Sequence, residues 1–230
     1  MMKSNKSIVL IVLTAILFIT SFCSEERSTE KYDVVIYGGT SGGISAAIQT
    51  SRMGKSVVLI EPTRRLGGLT TGGLGATDIG NKQAIGGISR EFYKNIKDYY
   101  SNPANWKLQS REDYQQDRND PVQDAMWTFE PSAALKVYDK MIEPENIDII
   151  YGERLNRQDG VIKKGTRIIQ ITMESGRSFK GKMFIDATYE GDLMATAGVS
   201  YTIGRELNSQ YGETLNGVQA NKTSLTLRGN

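Results

Sequence analysis

Apolar and polar positions predict alternating strands and helices in the first part of the chain. Residues 33–37 and 56–60 are short apolar runs rich in β-branched residues, as in strands that are buried on both faces of a parallel sheet. Between them, the alanine-containing segment 44–50 favours a helix that ends before Gly54. The order strand, glycine turn, helix, strand predicts a βαβ unit.

Helical spacing and a further apolar run predict three more elements. Residues 88–100 carry apolar or aromatic side chains at the spacing of one helix face. A second helix is predicted to open at 129–132 and to end before Pro144. The apolar run 147–151 predicts a third strand.

The segment that follows predicts a small antiparallel addition and a closing strand. Residues 165–171 and 176–182 indicate a meander, and 183–187 indicate the last strand of the main sheet. The predicted fold class is therefore α/β, with a doubly wound parallel sheet and a small antiparallel meander.

A glycine-rich turn joins the first strand to the first helix. Glycines allow a tight turn and the close approach of a pyrophosphate, and the helix N-terminus offers free N–H groups. Glu61 ends the second strand, where an acid accepts hydrogen bonds from a ribose diol. In the pattern G-x-G-x-x-G the middle glycine would be position 40, which is Thr. Its β-branched side chain crowds the phosphates unless the hydroxyl contributes a hydrogen bond. The predicted dinucleotide site consists of Glu61 with Gly38, Gly39, Thr40, Ser41, Gly42 and Gly43, and a purely structural turn is the alternative.

A second glycine-rich segment, 62–75, follows Glu61 and reads P-T-R-R-L-G-G-L-T-T-G-G-L-G. So many glycines disfavour a regular helix or strand, and the sequence predicts a loop. Leu66, Leu69 and Leu74 indicate that this loop packs against protein.

The segment 61–75 resembles the one in flavoproteins with two dinucleotide-binding domains, where an acid, a basic residue and a Gly-Gly pair wrap FAD. The chain from about 31 to 219 resembles a bacterial FAD-dependent oxidoreductase family, related in its FAD domain to the flavin subunit of heterodisulfide reductase. In that family the first turn often reads Gly-Gly-Thr. The resemblance implies a Rossmann-like FAD-binding domain with FAD as cofactor. It places Glu61 at the adenosine ribose, and Arg65, Gly67 and Gly68 along the pyrophosphate and flavin.

Residues 184–198, F-I-D-A-T-Y-E-G-D-L-M-A-T-A-G, resemble the strand-end motif D-A-T-x-x-G-D-L of the same family. The resemblance implies that Asp192 contacts the cofactor. The alternative is an ordinary turn and helix start in which Asp192 caps its helix.

The N-terminus predicts export. Lys3 and Lys6 precede the apolar run 8–20, which is shorter than the ~20 residues of a membrane span and is typical of a signal peptide, predicted as 1–22. Cys23 follows and resembles the acylated cysteine of bacterial lipoproteins, with 23–31 as a tether. The predicted location is the periplasm or outer membrane, with a lipid anchor in the membrane. Ordinary cleavage nearby and an uncleaved anchor remain the alternatives.

Composition limits the available chemistry. With no histidine and one cysteine, the chain has no Ser-His-Asp triad, no internal disulfide and no cysteine-held iron–sulfur cluster. A net charge of +2 does not indicate nucleic acid, and the spacing of acidic residues predicts no metal site. The chemistry must therefore come from a cofactor, a carboxylate, a Tyr or a Lys.

The predicted domain is 32–219, followed by an unmatched tail, 220–230. Family members continue for several hundred residues, so the resemblance implies that this domain is truncated. The predicted function is an exported FAD-dependent oxidoreductase whose flavin accepts a hydride from an unidentified small organic molecule. The alternatives are a non-catalytic remnant of such an enzyme and a carbohydrate-active envelope protein. No catalytic base and no oligomeric state are predicted.

Overall fold

A computed structural model describes residues 30–77, 80–114 and 124–214, and its strands form one six-stranded sheet in the order β3-β2-β1-β6-β5-β4. Strands β3, β2, β1 and β6 are parallel, and β6, β5 and β4 are antiparallel. The predicted α/β class is confirmed, as a mixed sheet with flanking helices. The strands are β1 (Glu30–Tyr37), β2 (Val57–Glu61), β3 (Ile147–Tyr151), β4 (Val161–Lys164), β5 (Arg167–Thr172) and β6 (Ser178–Asp186).

The two helices predicted in the middle of the chain are confirmed. The α-helices are α1 (Ser41–Arg52), α2 (Gly68–Gly72), α3 (Gly87–Ser101), α4 (Pro131–Ile142), α5 (Asp192–Thr196) and α6 (Asn208–Tyr211). Short 3₁₀ turns lie at Lys82–Ala84 and Pro103–Asn105. The prediction that the glycine-rich segment forms only loop is wrong for α2, which is a single turn stabilised by contacts from outside it.

β6 is one continuous strand where the sequence predicted a hairpin strand and a separate closing strand. Its first residues pair antiparallel with β5, with Phe179 opposite Ile171. From Phe179 onward it pairs in parallel with β1, from Glu30 opposite Phe179 to Tyr37 opposite Asp186. No turn-forming residue interrupts β6 after Gly181, so the meander and the parallel sheet share one strand.

Alternating side chains of β1 and β2 supply two cores. Ile36 and Leu59 belong to a cluster with residues of α1, α3 and α4, in which Phe92 stacks on Tyr138 with ring centroids 4.4 Å apart. Val35, Tyr37, Val58 and Ile60 belong to a second cluster with Leu155, Ile171, Met173, Phe179 and Leu193. The period of two along each strand thus assigns one set of side chains to the long helices and the other to the meander.

The described residues up to Ala197 form one compact unit, and those from Gly198 onward form a second that contains α6. β1 begins at Glu30, so the last two residues of the predicted tether belong to a strand. The predicted signal peptide, Cys23, the boundary at 219 and the tail lie outside the described residues. Within the described ranges, no helix is long and apolar enough to cross a membrane.

Candidate dinucleotide-binding site

The turn after β1 consists of glycines because other parts of the protein approach it closely. Gly38 has φ +106°, and a Cβ there would lie 2.7 Å from the backbone of Ala187 and Thr188 at the end of β6. A Cβ on Gly43 would lie 1.9 Å from the carbonyl oxygen of Gly38. These glycines allow β6 and α1 to pack against the end of β1.

Thr40, which replaces the middle glycine of the pattern, is the N-cap residue of α1. Its Oγ1 accepts a hydrogen bond from the Gly43 N–H at 3.3 Å and donates to the carbonyl oxygen of Ala187 at 2.7 Å. The hydroxyl therefore satisfies one N–H of the first helical turn and ties the turn to the end of β6.

Glu61 is a buried carboxylate at the end of β2, with 7% of its surface exposed. Oε2 accepts from the Gly39 N–H and Oε1 from the Thr63 N–H, both at 2.7 Å. A Cβ on Gly39 would lie 2.8 Å from Oε2, so a glycine allows this approach. Each carboxylate oxygen has a second lone pair, which leaves acceptor capacity for ligand hydroxyls.

A cavity of about 530 Å³ opens at the carboxyl ends of β1, β2 and β6, which is where ligands bind in open α/β sheets. Of the residues predicted from the sequence, those that line it are Gly38, Thr40, Glu61, Arg65, Gly68 and Asp192. Those that lie outside its lining are Gly39, Ser41, Gly42, Gly43 and Gly67. The structure thus brings about half of the predicted set to one cavity, and Gly39 and Gly43 contribute through the packing of the turn.

Arg65 lines this cavity and also braces α2. Its Nε donates to the carbonyl oxygen of Thr71 at 3.1 Å, at the C-terminal end of that helix. Gly67 has φ +94°, and a Cβ there would lie 2.2 Å from the Thr71 side chain. The glycine pair and the arginine thus fold the segment after Glu61 into a tight turn.

Tyr189 was missed by the sequence analysis, although it occupies a variable position of the D-A-T-x-x-G-D-L motif. Its hydroxyl accepts from the Leu69 N–H at 2.8 Å, in the first turn of α2. A Cβ on Gly68 would lie 2.3 Å from this hydroxyl oxygen. Tyr189 therefore covers Gly68 and connects the strand-end motif to the glycine-rich segment.

Asp186 organises the loop that carries this motif. Oδ1 accepts from the Thr188 N–H at 3.0 Å, and Oδ2 accepts from the Met194 N–H in α5 at 2.8 Å. Asp192 makes no side-chain cap, because Gly191 is the N-cap residue of α5. Its carboxylate lies 3.6 Å from Arg157 and lines the cavity, and α5 begins at Asp192 as the alternative of a turn and helix start predicted.

Two further arginines after β3, Arg154 and Arg157, also line the cavity and were not predicted. Tyr37 closes its inner side, where the hydroxyl accepts from the Leu155 N–H at 3.0 Å. Burial raises the pKa of Tyr37, so this hydroxyl stays neutral. With Arg65, the cavity has three guanidinium groups along its wall.

Ser41 contacts the protein instead of the cavity. Its hydroxyl lies 2.7 Å from the hydroxyl of Thr70 and 3.3 Å from the carbonyl oxygen of Gly67. Tyr138 completes this group, and burial raises its pKa to about 12. The cluster joins α1, α2 and α4 behind the cavity.

The strand–turn–helix–strand unit, the acid that ends β2 and the cavity at the strand ends define a dinucleotide-binding domain. Residues 33–227 match the model of the family described as FAD dependent oxidoreductase, and the chain belongs to this family. FAD, the cofactor predicted from the sequence, is the cofactor of that family.

Solved structures with a similar fold include L-proline dehydrogenase from P. horikoshii, which is 15% identical with a TM-score of 0.51. The similarity covers 78% of this chain and 59% of the dehydrogenase. A flavin-containing monooxygenase from Stenotrophomonas maltophilia is 17% identical over 70% of this chain and 39% of its own, with a TM-score of 0.43. Thioredoxin reductase from T. acidophilum is 18% identical over 70% of this chain and 35% of its own, with a TM-score of 0.39. A comparison with curated protein sequences found no match.

Proposed function

We propose that the protein is an oxidoreductase in which FAD accepts a hydride from a small organic substrate. The observation that carries this proposal is the buried Glu61 carboxylate, held by two backbone N–H groups at the rim of a cavity of about 530 Å³. Family membership supports the cofactor and the reaction class. The chain spans 59% of the length of the L-proline dehydrogenase that it resembles in fold. The hydride-transfer activity of a whole enzyme of this family is therefore part of the proposal.

The residues of the cavity fit FAD. The proposal assigns the adenosine ribose to Glu61, whose oxygens keep acceptor capacity for two hydroxyls. It assigns the pyrophosphate to the N-terminus of α1, where N–H groups of the first turn have no intrahelical acceptor. Arg65 and Arg154 are the cations of the same cavity that the proposal assigns to the phosphates, because Arg157 lies 3.6 Å from the Asp192 carboxylate. Glu174 and Glu190 also line the cavity, so its wall carries charge of both signs.

When bound, FAD supplies a hydride acceptor, and the protein's contribution is to hold and orient it. Gly38 and Gly68 line the cavity without projecting a side chain into it, and the Tyr189 hydroxyl packs against Gly68. The assigned contacts for FAD also include Asp192, Gly67 and the rest of the turn, 39–43. No side chain in this cavity is assigned as a catalytic base.

FAD binding tests the proposal directly. Titration of the purified protein with FAD, followed by visible absorbance and flavin fluorescence, is expected to show one-to-one binding. Glu61→Gln is expected to weaken that binding about tenfold or more, because a charged acceptor of two hydroxyls is lost. Glu143→Gln is the matched control, because Glu143 lies exposed at the end of α4, away from the cavity.

Two results would contradict this assignment. One is a protein that binds NAD(H) but takes up no flavin. The other is a Glu61→Gln variant that binds FAD as tightly as the unmodified protein while showing the same melting curve.

We also propose that the protein is exported and anchored by a lipid at Cys23. The basic residues before the apolar run 8–20, and the position of the single cysteine after it, support this. Expression with a labelled fatty acid is expected to label the protein in the membrane fraction and not to label Cys23→Ala. Equal labelling of both proteins would exclude acylation at this residue.

A further inference from the structure

A second cavity of about 320 Å³ lies between the glycine-rich segment and the region after α3. Three aromatic side chains, Tyr100, Trp106 and Tyr114, line it. The Trp106 ring centroid lies 5.0 Å from that of Tyr100 and 5.2 Å from that of Tyr114, with the ring planes inclined by 52° and 58°. The rings therefore form a corner and not a flat stack.

The polar atoms of these rings are held by the protein. Trp106 Nε1 donates to the carbonyl oxygen of Tyr100 at 2.8 Å, and the Tyr114 hydroxyl contacts the hydroxyl of Thr128. The rings consequently offer the cavity carbon and π surface of fixed orientation.

Among the residues that the structure describes, Glu130 supplies the one carboxylate in the lining of this cavity. The Tyr100 hydroxyl donates to Glu130 Oε2 at 3.0 Å, while the Glu130 N–H donates to the same hydroxyl at 3.0 Å. Burial raises the pKa of Tyr100, so this hydroxyl remains a donor to the carboxylate. Lys107 also lines the cavity and is exposed, but in the described part of the chain neither it nor any other cation forms an ion pair with Glu130.

We propose that this second cavity binds a small organic ammonium ion. An alkylated ammonium is attracted to the faces of tryptophan and tyrosine rings, and its charge is matched by the oriented carboxylate of Glu130. The volume suits a molecule smaller than most drug-sized ligands. This inference goes beyond the proposed oxidoreductase function, because it requires no flavin.

The glycine-rich segment that lines the cavity at the strand ends continues into the wall of the second cavity. Ala76 pairs with Thr128 in an antiparallel bridge, and the Phe129 N–H donates to the carbonyl oxygen of Gly75 at 2.9 Å. A Cβ on Gly75 would lie 2.0 Å from the Phe129 carbonyl oxygen, so glycine is required for this contact. The segment 65–76 thus contributes residues to the lining of both cavities.

A pair of isosteric probes tests the charge requirement. The full-length protein is titrated with choline and with 3,3-dimethyl-1-butanol, its neutral isostere, by calorimetry and tryptophan fluorescence. Choline is expected to bind at least tenfold more tightly, in the presence and absence of saturating FAD. Glu130→Gln keeps an acceptor for the Tyr100 hydroxyl and is expected to remove most of this preference, whereas Glu143→Gln at the other end of α4 is expected to retain it.

Equal binding of the two probes, or no choline binding, would overturn the proposal. So would a choline preference that survives in Glu130→Gln with an unchanged melting curve. Binding that FAD abolishes would show that this cavity belongs to the flavin and would also overturn it. Because FAD uptake is measured separately, a failure of the cation site is distinguishable from a failure of the proposed oxidoreductase function.

Discussion

The close approach of α1 to β1 predicts a large effect of one added methyl group. In Gly43→Ala the new Cβ would lie 1.9 Å from the Gly38 carbonyl oxygen and 3.3 Å from the Ala187 Cβ. Backbone must move by more than an ångström, which places the variant near the top of the ~1–3 kcal/mol range for overpacking. Alanine in a helix recovers up to about 1 kcal/mol relative to glycine. The expected net loss in free energy of unfolding is about 2 kcal/mol.

Gly42→Ala is the matched control, one residue earlier in the same helical turn. Its Cβ would meet only the Thr40 hydroxyl, at 3.6 Å, so its expected effect runs from neutral to about 1 kcal/mol of stabilisation. Thermal unfolding of both variants by circular dichroism measures the difference. For a domain of this size, ~2 kcal/mol lowers the melting temperature by roughly 4–8 °C. A Gly43→Ala melting curve at or above that of Gly42→Ala would refute the packing argument.

The remaining predictions concern the cap, an ion pair and ligand approach. Thr40→Ala is expected to lower the free energy of unfolding by about 0.5–2 kcal/mol in urea titrations, and Thr40→Ser to restore most of it, because the hydroxyl caps α1. The hydrogen bond from the Lys182 ammonium lowers the pKa of the Asp33 carboxyl from 3.8 to about 2. The contribution of this ion pair to the free energy of unfolding is therefore present above pH ~4 and is lost as the pH falls through 2. Unfolding curves of Asp33→Asn and the unmodified protein should therefore converge between pH 4 and 2, and a constant gap would contradict this. Gly42→Ala is expected to weaken FAD binding in the flavin titration while leaving the fold intact, because the exposed first turn of α1 then carries a methyl group where phosphate approaches.

The sequence predicted those parts of the fold that depend on local pattern. The strand 147–151 has the predicted bounds, and the helix predicted over 88–100 spans 87–101. The βαβ unit could be predicted because buried strands, a glycine turn and a terminal acid are all encoded within about thirty residues. The place of Glu61 in the cavity could be predicted for the same reason, because this acid ends the second strand of the unit.

Contacts between distant segments could not be predicted in this way. Tyr189 meets Leu69 across 120 residues, and only the pairing of β6 beside β1 brings these residues together. Arg154 reaches the cavity because β3 pairs with β2, and a lone arginine after a strand carries no signal of that neighbour. α2 has two glycines and two threonines around a single leucine and is stabilised by Arg65 and Tyr189, so its own composition indicated loop.

Hydrogen bonds hold the segment after Glu61 at its beginning, middle and end. These contacts fix the distance between the two cavities. Arg65 holds the end of α2, Tyr189 holds its start, and Gly75 is fixed against Phe129. Its first half lines the cavity at the strand ends, and Gly75 and Ala76 line the second. A segment held at three points has little freedom to act as a hinge, so the spacing between the two cavities is set by packing.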